Sequence, residues 1–297
     1  PPGDGAALVA AGGLIYALRG GGTSNFLQYD PRTDEWNSYP ASTPGLVGAG
    51  GALTFDNDRY VYALGGGGSS SFWSYDTRSQ PQGSWETQNN THAPVGGGGA
   101  LAFDGQYVYA LRGASYDNFW KYDPNALGDR WTDLALTPAN VGAGGALAFD
   151  GAQYIYALGG GTNFWSYDPL TGAWTDLTPT APTPAAVGAG GSLAFNPNDN
   201  KLYALRGGGY DDLWSYDPST NAWVSLASFP SIYSRSITIE ILDFLGNSER
   251  LLQNSTDPDS SRFDFSYDGT IQLDGHIPQN ESGYVSGIAP GPHIVQV

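Results

Sequence analysis

The phrase Val-Gly-Ala-Gly-Gly-Ala-Leu-Ala-Phe-Asp at residues 141–150 recurs as VGAGGALTFD from Val47, VGGGGALAFD from Val95 and VGAGGSLAFN from Val187, at intervals of 46 to 48 residues. A looser copy, GAALVAAGG, begins at Gly5. A period of that length means one supersecondary unit stacked against copies of itself, because a single unit cannot bury its apolar faces alone. This constrains architecture far more than it constrains chemistry.

Each unit contains four stretches that read as strands. The first is the small-residue phrase, residues 141–149 in the fourth unit. The second is residues 154–158, echoed at 14–18, 60–64, 107–111 and 202–205. The third is residues 163–168, echoed at 26–30, 72–76, 119–123 and 213–217. The fourth starts at Trp36, Trp85, Trp131, Trp174 and Trp223. Aromatic and β-branched residues alternate between Gly, Asp and Pro clusters, the pattern of short strands joined by tight turns. Four antiparallel strands repeated radially make a propeller blade. Gly and Ala in the innermost strand let backbones crowd round an axis, while Trp and Tyr fill the widening outer wedge. The expected fold is all-β: a five-bladed β-propeller of four-stranded blades over residues 1–231, then a small C-terminal β module over 232–297.

The carriers Leu64-Gly65-Gly66, Tyr75 and Trp85, and again Leu158-Gly159-Gly160, Tyr167 and Trp174, resemble the kelch repeat: a Gly pair closing the second strand, then Tyr, then Trp. Tyr-Asp-Pro-x-Thr-x-x-Trp is clean at residues 29–36, 167–174 and 216–223. The resemblance covers residues 5–230 and implies a propeller, but kelch propellers usually have six or seven blades, so a further upstream blade stays open. In units one, three and five the first Gly of the pair is replaced by Arg19, Arg112 and Arg206. That alternation suggests a two-blade ancestral unit and would set two Arg blades side by side in a five-membered ring.

After about Ile232 the repeat stops. Residues 237–244, 262–267, 270–273 and 293–297 alternate as strands, with turn signals at Gly246-Asn247 and Asp268-Gly269. Residues 237–247 with 287–297 resemble the first and last strands of a small immunoglobulin-like module, which implies a spacer or stalk. Its 66 residues are few for a free-standing sandwich, so docking or a strand from another chain is expected to complete it.

Composition narrows partners. The net charge of −17, with only Lys121 and Lys201 as lysines, argues against nucleic acid and anionic membrane surfaces. No apolar run is long enough for a membrane span. Absent Cys removes disulfides and thiolate metal sites, and the Pro-Pro-Gly start suggests either a mature, processed terminus or an artificial boundary. Together these features suit an extracellular or cell-surface protein.

Candidate sites lie on two faces. One carries Asp56, Asn57, Asp58, Asp104, Asp150, Asn196, Asp199 and the Tyr-Asp-Pro turns, a surface for calcium or simply turn-stabilising side chains. The other carries the loops between second and third strands. There Arg19, Arg112 and Arg206, beside Tyr116, Asp117, Tyr210, Asp211 and Asp212, either bind a glycan or peptide carboxylate or pair with neighbouring blades. Enzymatic readings have little support. The copper-oxidase members of kelch-like families need a Cys–Tyr crosslink and His ligands, whereas this chain has no Cys and only His92, His276 and His293, scattered. The Ser-x-Asp-x-Gly-x-x-Trp turn of sialidases is missing, and no carboxylate pair is singled out. Asn89, Asn254 and Asn280 head glycosylation sequons, and residues 178–184 form either an O-glycosylated segment or a stiff linker.

The expected function is that of a secreted, non-enzymatic structural or interaction subunit. Its partners are proteins, including copies of itself joined head to tail by its C-terminal strands, or glycans; no cofactor and no metal are expected. The alternatives are a lectin-like propeller using the Arg-bearing face and, third, a polysaccharide-active enzyme.

Overall fold

A computed structural model describes residues 1–37, 41–79 and 83–228, and beyond them the backbone of four strands. The chain divides into two compact units, Pro1–Phe229 and Pro230–Val297.

The first unit holds five four-stranded antiparallel sheets, each a meander in chain order. Blade one is β1 (Ala7–Ala11), β2 (Leu14–Leu18), β3 (Phe26–Asp30) and β4 (Glu35–Asn37). Blade two is β5 (Ala52–Phe55), β6 (Tyr60–Leu64), β7 (Phe72–Asp76) and β8 (Ser84–Thr87). Blade three is β9 (Ala100–Phe103), β10 (Val108–Leu111), β11 (Phe119–Tyr122) and β12 (Trp131–Asp133). Blade four is β13 (Gly145–Phe149), β14 (Ile155–Gly159), β15 (Phe164–Asp168) and β16 (Ala173–Asp176). Blade five is β17 (Ser192–Asn196), β18 (Lys201–Leu205), β19 (Leu213–Asp217) and β20 (Ala222–Ser225). This is the expected propeller, and blade one supplies its own inner strand, β1 pairing with β2.

The recurring phrase is not one strand as expected. In blade four only Gly145–Phe149 joins the sheet, while Val141 reaches back to pair with Tyr116 in the preceding blade's loop. Val47 with Thr23, Val95 with Ser69 and Val187 with Gly161 do the same. The phrase is therefore a clasp followed by a strand, and its glycines make the turn between them. Gly98, at φ +91°, shows why glycine is needed: a side chain there would run into the backbone carbonyl of Gly142 in the next blade.

Period-2 alternation buries both faces of each inner blade. On β14, Ile155 and Ala157 pack towards blade three, while Tyr156 and Leu158 pack towards blade five. The four interfaces between consecutive blades repeat one set of contacts. Phe26 meets Tyr75 and Trp85, Phe72 meets Tyr122 and Trp131, Phe119 meets Tyr167 and Trp174, and Phe164 meets Tyr216 and Trp223, at centroid separations of 4.7–5.0 Å. Such tilted and edge-on pairs contribute beyond the area they bury. Each of these four tryptophans donates its indole N–H to a carbonyl of the linker behind it: Trp85 to Ala41, Trp131 to Asn89, Trp174 to Ala135 and Trp223 to Ala181.

Among the described residues this pattern stops between blades five and one. The Phe position is Leu213 and the Trp of the third strand is Leu27, and no ring contact joins the two blades. Inner strands lie side by side from β1 to β5 and onward to β17, but β17 does not lie against β1 in that way. Gly190, the counterpart of Gly98, has nothing within 4 Å of where a side chain would begin. Trp36 and Leu8 are 56% and 69% exposed. Blades one and five, both Arg-bearing, flank an unpacked seam instead of forming a fifth interface.

In the second unit, β21 (Ile237–Leu242) pairs with β22 (Ser248–Gln253), and β23 (Arg262–Tyr267) pairs with β24 (Gly291–Gln296), giving two antiparallel two-stranded sheets. The strand over 248–253 was not signalled by the alternation read above. The one expected at 270–273 lies outside the described residues.

Candidate functional site

The loops between second and third strands place the three arginines on one face, and each is tied within its own blade. Arg112 donates from Nε to the Pro94 carbonyl (3.2 Å) and from Nη1 to Asn118 Oδ1 (2.9 Å). Its guanidinium carbon lies 3.4 Å from the centroid of the Tyr116 ring. Arg206 repeats this with Ala186 (3.2 Å), Asp212 Oδ2 (2.8 Å) and Tyr210 (3.4 Å). Arg19 donates to the Pro1 carbonyl at 3.3 Å and has no tyrosine. The pairings are local, not with neighbouring blades, because the Arg stem follows the clasp of its own unit. Tyr116 and Tyr210 present 47% and 59% of their surface to solvent, so two rings, each backed by a cation, form separate platforms. Asp117 serves through its backbone carbonyl, which accepts from Thr137. Asp211 is exposed beside Tyr210.

On the opposite face the acidic residues are committed to turns. Asp56 Oδ1 accepts the backbone N–H groups of Asp58, Arg59 and Tyr60, and Asp150 Oδ1 those of Ala152, Gln153 and Tyr154. Asp104 does likewise for Gln106 and Tyr107, and Asn196 for Asn198. Asp199 takes the Tyr203 hydroxyl at 2.6 Å, while Asn57 occupies the left-handed region that short polar side chains tolerate. No group of three or more metal-ligating side chains is found among the described residues.

A device with no forewarning in the motifs is a buried threonine in each linker. Thr43, Thr91, Thr137 and Thr183 are at most 5% exposed. Thr137 Oγ1 is shared between the carbonyls of Asp117 and Ala139, and Thr43 and Thr91 make the equivalent pair of contacts. The signal was present: each Thr stands four residues before a clasp Val. Thr183 is buried, whereas Thr180 in the same segment is exposed. Asn89 is exposed, but its sequon Thr91 is buried and bonded. Asn254 and Asn280 lie outside the described residues.

His92 sits in the linker after blade two with Nδ1 3.0 Å from Asp133 and Nε2 3.1 Å from Asp129. The hydrogen bond to Asp133 is the main cause that holds the imidazole above its ordinary pKa, against opposing desolvation and with help from Asp129. A raised folded-state pKa gives stability that is complete below the unfolded value of about 6.5 and is lost as pH climbs through the folded one. Wild type is thus expected to exceed His92→Gln in urea midpoint at mildly acidic pH and to lose that margin in alkali. A margin independent of pH would show that the imidazolium does not contribute.

An apolar cavity of about 890 Å³ is lined by the inner strands of all five blades. Leu8, Leu53, Leu101, Leu147 and Leu193 occupy one repeat position around it, and it extends along blade one to Leu27 and Trp36.

No protein-family model matches the chain, and none of the curated proteins matches it. Function must therefore be argued from sites on the scaffold. Propellers commonly mediate interactions, and no described helix is long and apolar enough to cross a membrane.

Proposed function

We propose that this protein is a non-enzymatic, extracellular interaction subunit that associates with copies of itself through the open side of its first blade. The observation that carries this reading is the apolar face on which Leu8 and Trp36 are exposed beside the partly buried Leu27. Trp36 is tilted against Tyr29 with centroids 5.1 Å apart, as Trp85 is against Tyr75 at 5.2 Å, but among the described residues it meets no Phe from another blade. Every copy carries both halves of a blade interface: this face, and the Tyr203 and Leu213 side of blade five. Association of unlike surfaces that does not close into a ring propagates into filaments. Strand addition at the β21 and β24 edges is a further route to the same assembly. Commitment of one carboxylate oxygen of each of Asp56, Asp104 and Asp150 to a turn supports the non-enzymatic reading, and the acidic, Cys-free composition supports the extracellular one.

Sedimentation velocity tests it. Wild type should gain mass with concentration, whereas Leu8→Glu with Trp36→Glu should stay monomeric, with stability changed by no more than about 0.5 kcal/mol, as for exposed positions. A monodisperse wild-type monomer at the highest attainable concentration overturns the proposal.

A second reading, glycan binding on the Arg-bearing face, is favoured by the exposed Tyr116 and Tyr210 rings stacked on their arginines.

A further inference from the structure

The cleft between blades two and three departs from the repeat in three places that converge. The position three residues after the blade Trp is Leu134, Leu177 and Leu226 in blades three to five, but Gln88 in blade two. The residue after that Trp is Thr132, Thr175 or Val224 there, but Glu86 here. The residue before it is Ala173 or Ala222 in blades four and five, but Arg130 in blade three. All three line one cleft of about 500 Å³, on the face opposite the Arg–Tyr platforms. That volume lies within the range of about 300–1,000 Å³ usual for small-molecule sites.

Its floor is a preorganised network. Gln88 Nε2 donates to Ser74 Oγ at 2.9 Å, and Gln88 Oε1 accepts from the Tyr122 hydroxyl (2.8 Å) and from Arg130 Nη1 (2.9 Å). Arg130 Nε is held by the Ala126 carbonyl at 3.1 Å, and Nη2 has no partner among the described residues. Among the described residues no carboxylate lies within ion-pair distance of this guanidinium, and Glu86 acts on it only from further off.

Tyr62 supplies the independent observation. It is 4% exposed and lines the cleft, yet its hydroxyl has no partner among the described residues. No fully buried side-chain oxygen or nitrogen lacks a partner among the described residues, so this hydroxyl opens into the cleft. In blade three the same pair closes on itself, Tyr109 donating to Asp104 Oδ2 at 2.9 Å. In blade two Asp56 Oδ2 accepts nothing, and donor and acceptor both face the cleft. Burial raises the Tyr62 pKa, so the hydroxyl is a neutral donor at any physiological pH.

We propose that this cleft is a binding site for a neutral saccharide. Asp56 Oδ2 and Glu86 accept from sugar hydroxyls, Tyr62 and Arg130 Nη2 donate to sugar oxygens, and Tyr60 and Phe103 offer apolar surface to ring C–H groups. Two carboxylates against one guanidinium, on a chain of net charge −17, select against anionic ligands.

Saturation-transfer NMR on the full chain with a panel of neutral pentoses, hexoses and disaccharides, beside glucuronate and galacturonate, tests this. At least one neutral sugar should bind, and more tightly than either uronate. Tyr62→Phe breaks no bond within the protein, and Glu86→Thr installs the residue of blades three and four. Each should weaken binding about tenfold, the loss of roughly one good hydrogen bond, without moving the melting temperature. Tyr156→Phe, and Tyr116→Ala with Tyr210→Ala, should leave binding unchanged. No neutral sugar bound at millimolar concentration, stronger binding of a uronate, or indifference to both cleft variants overturns the assignment.

Discussion

Phe119→Ala is expected to destabilise the propeller by about 3–5 kcal/mol, the range for emptying a buried aromatic site. Phe119 is 1% exposed and joins three rings: Tyr109 stacked at 5.7 Å, Tyr167 edge-on at 4.9 Å and Trp174 tilted at 4.8 Å. The site cannot collapse, because its walls are backbone-paired strands of two different blades. At the corresponding seam position Leu213→Ala should cost about 1 kcal/mol, since a partly buried side chain forfeits only part of its transfer energy. Urea denaturation of the two variants gives the comparison. Equal costs would mean that blade five is covered as tightly as the blades inside the arc.

Gly98→Ala is expected to cost about 4 kcal/mol or more, which places it among the rare severe substitutions. Two terms add. A left-handed backbone costs a residue with a Cβ about 1–2 kcal/mol. The new methyl also meets the Gly142 carbonyl and stands 3.3 Å from Val141 Cγ1, so the clasp of the next blade must move. Gly190→Ala, at φ +81° with no neighbour, should show the first term alone, about 1–2 kcal/mol. A similar large loss at Gly190 would mean that something occupies the seam in solution, and that the free first-blade face is covered.

Much of the fold was legible because blade formation is local. Alternation over five residues marks β6 or β14 as a strand with two buried faces, and a run of Gly marks the turn that follows, as Asp-Gly does after β9 and β13 and Asp-Pro after β3, β15 and β19. The inner phrase misled in one respect. Its glycines read as part of a strand, but Val141 pairs with the preceding blade's loop, and composition does not say which partner a backbone chooses. The linker threonines had a constant spacing from the clasp, yet a lone Thr carries no signature until its two carbonyls are in place. The arginines were legible as departures from the repeat, and their stacking on Tyr116 and Tyr210 follows from a four-residue offset that the loop geometry turns into contact.

The sequence by itself determined the repeat, the four strands per blade and the five blades, since these depend on periodicities of two and of about 46 to 48 residues. Gln88, Glu86 and Arg130 also break the repeat, but nothing singled them out until the cleft brought them together. Only the tertiary structure decided what near-identical residues do. Trp85 is packed and bonded where Trp36 is bare, and the Tyr109 hydroxyl is satisfied where that of Tyr62 is open. The reason is physical: burial and hydrogen bonding belong to pairs of groups, and the second member of each pair is supplied by a neighbour distant in the chain.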